Sequence, residues 1–552
     1  MPACLFLRTK CECTCTSLLS QTQPGKFRKV LIWLTGRTAV QENDMSFGPV
    51  MMKAKGVFGA GKLKKRLKPD EREYARRGRD LRLARGSLPN GFREMTPAKS
   101  HLHALMSTFS IISLSTLWAF ADTNIKLPNV ELHDSRIENG LRVILVPDHS
   151  APVYAINVSY NVGSRDELPG HTGFAHLFEH MMFQGSANVG KGEHFILVLN
   201  NGGNMNGTTS EDRTIYFEEL PKNQFDLGLY LEADRMRSLN ITQANLDNQR
   251  NAVQEERRQS IDNQPYGRAE IDLDSLSYDN FAYKHPTIGS MADLNAATVA
   301  DVAAFFKLYY APNNAVLTLV GDFDVDEAMA KVRKYFGSIP MQPAPPKVDL
   351  REELHYGERR ESISDPLARL PRLDIAYHVP AGNTPDNYAM QELGIALAQG
   401  QSSRFYQHLV KEKQLASNVN IFTDARTGTG QMYIRATPAP GVSLTQLEKG
   451  IDDEITAVLK DGITAEELAK SKVQLLRRFI DRRRTVLGTA QLIGEYAVKF
   501  DDPELINTIV DKESAVTLDQ ANRAAKSYLL REQRTVVTSI PAVPPNPGQE
   551  AR

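Results

Sequence analysis

The stretch His171-Thr-Gly-Phe-Ala-His-Leu-Phe-Glu-His-Met-Met-Phe-Gln-Gly185 sets two histidines and a glutamate close together in an otherwise apolar, helix-compatible run. At about 3.6 residues per turn His176 and His180 are i and i+4, so both imidazoles leave one helix face and can share a cation at roughly 2.0 Å. Glu179 lies beside them. A carboxylate one residue before the second histidine can reach a water on such an ion without being a ligand, which is the general-base position of the inverted zinc motif H-x-x-E-H. The competing reading of the same residues is a packed helix with histidines on its surface.

Catalytic zinc usually has three protein ligands and one open position, so two histidines leave the site one ligand short. The segment Leu246-Asp-Asn-Gln-Arg-Asn-Ala-Val-Gln-Glu-Glu-Arg-Arg-Gln-Ser-Ile-Asp262 is a strong helix former and offers adjacent carboxylates, Glu255 and Glu256. Neighbours on a helix point about 100° apart, so only one can face the ion. Helix geometry alone leaves the choice open.

His-Leu-Phe-Glu-His at 176–180 and Asn-Ala-Val-Gln-Glu-Glu at 251–256 together resemble the insulinase/pitrilysin family of zinc metallopeptidases, which includes the mitochondrial processing peptidase and many bacterial relatives. The resemblance implies one Zn2+ per chain, with Glu179 as general base. In the family an Asn-Ala-Val-x-x-Glu helix supplies the third ligand, and counting from Asn251 selects Glu256 beside His176 and His180. Asn206-Gly-Thr-Thr209, followed by Arg213-Thr-Ile-Tyr-Phe217, is similar to the family's active-site edge strand, Asn-Ala-x-Thr. That likeness implies that Asn206, Gly207 and Thr208 bind the substrate backbone as an added strand. Gly207 replaces the usual alanine, and Gln249 stands where several relatives have a glutamate supporting the metal. The resemblance spans roughly residues 125 to 540.

A chain of this length is too long for one core. The proline-rich Ser338-Ile-Pro-Met-Gln-Pro-Ala-Pro-Pro346 marks a break, with a charged linker running on to Arg360. Strand-like runs open and close each side of it: Leu141–Val146, Tyr154–Tyr160 and Asn314–Val320 before, Leu373–His378 and Arg534–Ser539 after. The plan reads as a duplication. Matching Met182-Phe-Gln-Gly185 to Leu397-Ala-Gln-Gly400 sets His176, Glu179 and His180 opposite Gln391, Gly394 and Ile395, so the second copy cannot build the same site. The expected fold is therefore α+β: two related half-domains, each a mainly antiparallel sheet with packed helices, enclosing a chamber. The zinc-bearing half is read as 122–337, the linker as 338–360, the metal-free half as 361–542 and a tail as 543–552.

The zero net charge conceals an asymmetry: residues 1–121 hold 21 Lys and Arg against 8 Asp and Glu, and the remainder 45 against 58. Met106–Ala121 is an apolar run ending in Ala-Phe-Ala, a signal peptide with its cleavage pattern, too short and serine-broken to span stably. It predicts a periplasmic or secreted product. Residues 1–105 are read as an extension, disordered or absent from the native product. Its basic runs lack an aromatic platform, so no nucleic-acid partner is expected. All four cysteines, Cys4, Cys11, Cys13 and Cys15, lie there, leaving no disulfide in the globular part.

These readings give a zinc endopeptidase acting on peptides, with a non-catalytic binding or assembly subunit as the alternative. Complete family members resemble the pattern S-R-L-F-Q-E-I-R-E-K-R-G-L-A-Y, whose arginine and tyrosine reach the substrate. The matching run Ser403–Ser417 has Val410 and Ser417 at those positions, and neither can make the same reach. The resemblance therefore implies a related second subunit supplying arginine and tyrosine contacts, a homodimer being possible, unless Lys411, Arg426 or Tyr433 substitutes.

Overall fold

The computed structural model describes residues 126–542 apart from 354. The extension, the signal segment, the cysteines and the tail lie outside the described residues.

Among the described residues, eleven strands form two sheets. The first contains β1 (His133–Arg136), β2 (Arg142–Pro147), β3 (Val153–Tyr160), β4 (Asn204–Thr209), β5 (Thr214–Pro221) and β6 (Ala315–Gly321), in the order β1-β2-β6-β3-β5-β4. The second contains β7 (Arg359–Asp365), β8 (Arg372–Val379), β9 (Ala416–Asp424), β10 (Gly430–Pro438) and β11 (Arg534–Pro541), in the order β7-β11-β8-β10-β9. With β1 set aside, both sheets follow one plan: first strand, fifth, second, fourth, third. The first–fifth pairs, β2 with β6 and β7 with β11, are parallel, and every other pair is antiparallel. The duplicated, mainly antiparallel α+β architecture is thus present. From Pro340 to Glu353 there is neither helix nor strand, and β7 begins at Arg359, just inside the expected linker.

The helices Phe174–Met181 and Pro385–Ala398 occupy corresponding places after β3 and β8. Gly185 and Gly400 end the two matched segments with φ of 97° and 78°, a left-handed turn that glycine adopts without a Cβ clash. Gln391, Gly394 and Ile395 lie on the second helix, where the sequence match puts them.

The halves interlock. Helix Val486–Phe500, from the second half, packs across β3 and β6; helix Gly267–Ser277, from the first, packs across β11 and β8. Consequently Ile144, Ala155 and Val320 of the first sheet share a core with Leu492 and Ile493, and Leu273 packs with Ala376 and Val537. Coverage on both faces explains why β6, Ala-Val-Leu-Thr-Leu-Val-Gly, is buried along its whole length and reads as an apolar run. Strand β4 is different: it has a partner on one side only and is mostly half-buried. It borders the His176 helix.

Candidate metal centre

The His176 helix is eight residues long and starts from Gly173 without a side-chain cap of its own. Its free N–H groups are satisfied from a distance. The buried Glu167 carboxylate accepts from the amides of Gly173 at 2.8 Å and Ala175 at 2.7 Å, and its Oε2 pairs with His285 Nε2 at 2.9 Å. The facing helix, Gln243–Arg257, is capped by Thr242, whose hydroxyl accepts from the Asn245 amide. Arg250 fastens it to the Leu294 carbonyl at 2.8 Å. A short helix could not hold a ligand geometry alone; these ties anchor each helix to its surroundings, and the two pack side by side.

Between them His176, His180 and Glu256 converge. Glu256 Oε2 lies 3.3 Å from His180 Nε2 and 3.7 Å from His176 Nε2. One ligand atom from each of the three residues falls within 4.8 Å of the others. Glu255 points away and binds Arg258 and Gln259, each at 3.0 Å, so tertiary packing separates the two carboxylates that helix geometry left equivalent. Burial pushes the His176 pKa down, aided by the neighbouring His180. Burial also lowers that of His180, but the Glu256 and Glu179 carboxylates, with Gln249, together more than compensate and the net shift is upward. For Glu256 burial acts to raise the pKa, and the two histidines hold it below the usual range. The carboxylate is therefore ionised, as a ligand must be.

The donor set fits a zinc ion. Glu256 Oε2 is buried and takes no hydrogen bond, although two imidazole nitrogens lie close by. Two nitrogens and one carboxylate oxygen, with side-chain exposures of 13, 6 and 15%, match the three-ligand sets of catalytic zinc, leaving an accessible side. Gln249, which stands where several relatives have a glutamate, donates through its side-chain amide to Asn248 Oδ1 at 2.6 Å, and His180 Nδ1 takes no partner.

Glu179 faces the edge strand. A Cβ on Gly207 would fall 3.0 Å from Glu179 Cγ and 3.1 Å from its Oε1, so the missing methyl lets β4 approach the carboxylate closely. Thr209 Oγ1 donates to Glu179 Oε2 at 2.8 Å, a contact sequence reasoning missed although Thr209 is the fourth residue of the Asn-Gly-Thr-Thr match. The Ser210 amide donates to the Arg213 carbonyl at 2.9 Å, which fixes the ladder's phase. Counting back in twos, Asn206 and Thr208 turn their backbone groups to β5, while Met205, Gly207 and Thr209 turn theirs to the open side. The Asn206 side-chain oxygen covers the Gly207 amide at 2.9 Å, and Thr208 is bound through its hydroxyl to Arg213 at 2.6 Å. Of the three residues expected to contact a peptide, Gly207 thus turns its backbone groups to the open side, whereas those of Asn206 and Thr208 are paired with β5.

A second group, His194, Glu218 and Glu232, also brings ligand-type atoms within 4.8 Å, but Arg235 closes it. Arg235 pairs with Glu232, Glu218 pairs with His194, and all four are buried. Burial pushes both glutamates up to about 7 and His194 down to about 3. The guanidinium supplies the positive charge an ion would bring, and it stacks 4.5 Å from the centre of the Tyr216 ring. This is an internal ion-pair cluster supporting β5.

Of the three candidates for replacing the expected arginine and tyrosine, Arg426 and Tyr433 are engaged elsewhere and Lys411 is not. Arg426 is 3% exposed, bound to Asp424 at 2.7 Å and Asp274 at 3.4 Å. Tyr433 donates to Asp274 at 2.8 Å. Lys411 is exposed, 5.9 Å from the Tyr406 ring centre.

Comparison with known proteins agrees with this architecture. A family model described as Insulinase (Peptidase family M16) matches residues 142–290, and one described as Peptidase M16 inactive domain matches 296–475. The chain is 32% identical over 435 residues to the zinc protease PqqE of Helicobacter pylori, covering 78% of this chain and 96% of that one. A crystal structure of a protease from Helicobacter pylori superposes with a TM-score of 0.71 at 29% identity, over 75% of this chain and all of the other. The periplasmic protease PqqL of Escherichia coli has the same fold at 18% identity, with a TM-score of 0.62; the match covers 76% of this chain but 49% of PqqL.

Proposed function

The chain belongs to the insulinase family of peptidases, family M16, and from that premise we propose that it is a zinc-dependent endopeptidase cutting peptides held as an added strand on β4. The observation that carries the reading is the convergence of His176, His180 and Glu256 beside Glu179, on the free edge of a sheet. His176, His180 and Glu256 would hold the ion. When bound, zinc supplies Lewis acidity, lowering the pKa of a water towards about 7 and polarising the scissile carbonyl.

The remaining work falls to the chain's own residues. A peptide aligned with β4 pairs with the outward backbone groups of Met205, Gly207 and Thr209, displacing the Asn206 side chain, which then has a free amide for the substrate. Thr209 holds Glu179 Oε2, leaving Oε1 to take the proton of the attacking water and to return it to the leaving amine. The Gly207 backbone, lacking a methyl, allows the scissile bond to approach that oxygen.

Full activity requires, in this proposal, a related second subunit, a homodimer being possible. Three observations support it: Val410 and Ser417 stand where arginine and tyrosine would, Arg426 and Tyr433 are engaged internally, and the fold occupies about half of PqqL. A chamber would then close around the substrate. Among the described residues no helix is long and apolar enough to cross a membrane. The Met106–Ala121 segment supports export to the periplasm or beyond, with 122–337 and 361–542 as the two half-domains. A solely non-catalytic role is disfavoured by the intact His176, Glu179, His180 and Glu256 set.

The test is zinc content together with cleavage of a quenched peptide, wild type against Glu179→Gln. The variant keeps its zinc and loses about 10²- to 10⁴-fold in rate, because the acceptor is gone while the ligands stay. Near wild-type turnover in a chelator-sensitive assay refutes the assignment.

A further inference from the structure

The second half carries Gln391, Gly394 and Ile395 where the first has His176, Glu179 and His180, yet it reaches the hairpin of β4 and β5. The turn joining β4 to β5 carries Glu211 and Asp212. Asp212 is 2% exposed and uses both carboxylate oxygens, in different directions. Oδ1 accepts from Tyr283 Oη at 2.8 Å and Arg165 Nη1 at 2.9 Å, both in the first half. Oδ2 accepts from the Thr427 amide at 2.8 Å, in the loop between β9 and β10 of the second half, with Lys499 Nζ at 3.8 Å.

That loop is itself fixed. Tyr283 Oη accepts from the Gly428 amide at 2.9 Å, Tyr278 Oη donates to the Thr429 carbonyl at 2.9 Å, and Lys499 donates to the Ala425 carbonyl at 2.8 Å. On the opposite side, the Ser164 and Arg165 amides hold the carbonyls of Ser210 and Glu211 at 3.2 and 3.0 Å. The hairpin tip is therefore gripped between a first-half loop and a second-half loop. Thr209, which holds Glu179, is three residues away.

We infer that the second half serves the reaction by fixing the tip of the substrate hairpin through Asp212, so that β4 keeps one register relative to Glu179. Asp212 is a positioning residue: it touches neither the peptide nor the metal ligands. A free edge strand held at one end only can shift along its partner, and a shift of one residue would present the wrong backbone groups to the peptide. The inference rests on the peptidase reading above and assigns the metal-free half a part in it.

Asp212→Asn tests it, because an amide presents one oxygen where two are used, so one side of the grip must be lost. Tyr283→Phe is the milder second variant, removing the hydroxyl shared by Asp212 and Gly428 while keeping the ring. Three readouts apply to both: zinc content, hydrogen exchange of the 204–219 amides, and the position and rate of cleavage of a peptide that wild type cuts at one bond. The expected result is unchanged zinc, faster exchange in the hairpin, a kcat lower by about 10- to 100-fold, and cleavage spread to neighbouring bonds. A residue that merely stabilised the fold would not move the cleavage position. If wild type cuts and both variants cut the same single bond at its rate, the inference is overturned whatever the exchange shows. If wild type shows no zinc-dependent cleavage either alone or with a related second subunit, the peptidase reading fails by itself, and exchange then decides the clamp: unchanged hairpin protection overturns it and faster exchange in both variants supports it.

Discussion

Thr209→Val isolates the contact between the edge strand and the proposed general base. Thr209 Oγ1 donates to Glu179 Oε2 at 2.8 Å, and Glu179 is buried, 9% exposed, so water does not readily replace the lost donor. A hydrogen bond to a charged group contributes about 1.5–3 kcal/mol. With about 1.4 kcal/mol to a factor of ten, the loss amounts to roughly 10- to 100-fold if the full bond orients Glu179 in the transition state. Valine keeps the shape of threonine, and the backbone of residue 209 still faces the peptide, so KM stays within about twofold while kcat falls. Thr209→Ser retains the donor and most of the rate. The assay is initial rates on a quenched peptide across substrate concentrations, with zinc measured on the same samples. A valine variant as fast as wild type at equal zinc refutes the reasoning, and so does a serine variant as slow as valine.

Glu256→Gln should bind zinc more weakly than Glu255→Gln, because Glu256 faces both histidines whereas Glu255 binds Arg258 and Gln259; metal analysis showing the reverse order moves the ligand. A related partner that lacks the His-x-x-Glu-His set but carries the arginine and tyrosine should raise activity on mixing, and full activity of a demonstrably lone chain defeats the two-subunit proposal. Burial pushes Glu392 up to about 8, against about 4.3 for an ordinary glutamate. The folded value is the higher, so its contribution to stability is complete below about pH 4.3 and is lost as pH rises to about 8. Glu392→Gln should flatten that decline, and denaturant midpoints at about pH 5 and about pH 8 that fall equally in both proteins would contradict it.

The sequence by itself determined what local geometry governs. His176 and His180 share a face because the helix period requires it; β2, β3, β6, β8 and β11 were legible from apolar runs, whereas the polar β1, β7 and β9 were not; and the matched Gly185 and Gly400 exposed the duplication, since a left-handed turn selects its residue wherever it occurs. Which of Glu255 and Glu256 meets the histidines was legible only through family resemblance, because adjacent helical positions are equivalent until a second helix is packed against them. The rest was decided by tertiary structure. Glu167 caps a helix and pairs with His285 more than a hundred residues away, Thr209 finds Glu179 across a sheet edge, and Asp212 joins the halves through Thr427. Each half also lends a helix to the other's sheet. No period or spacing encodes these contacts, because they are made between side chains distant along the chain and exist only once the two cores have been packed together.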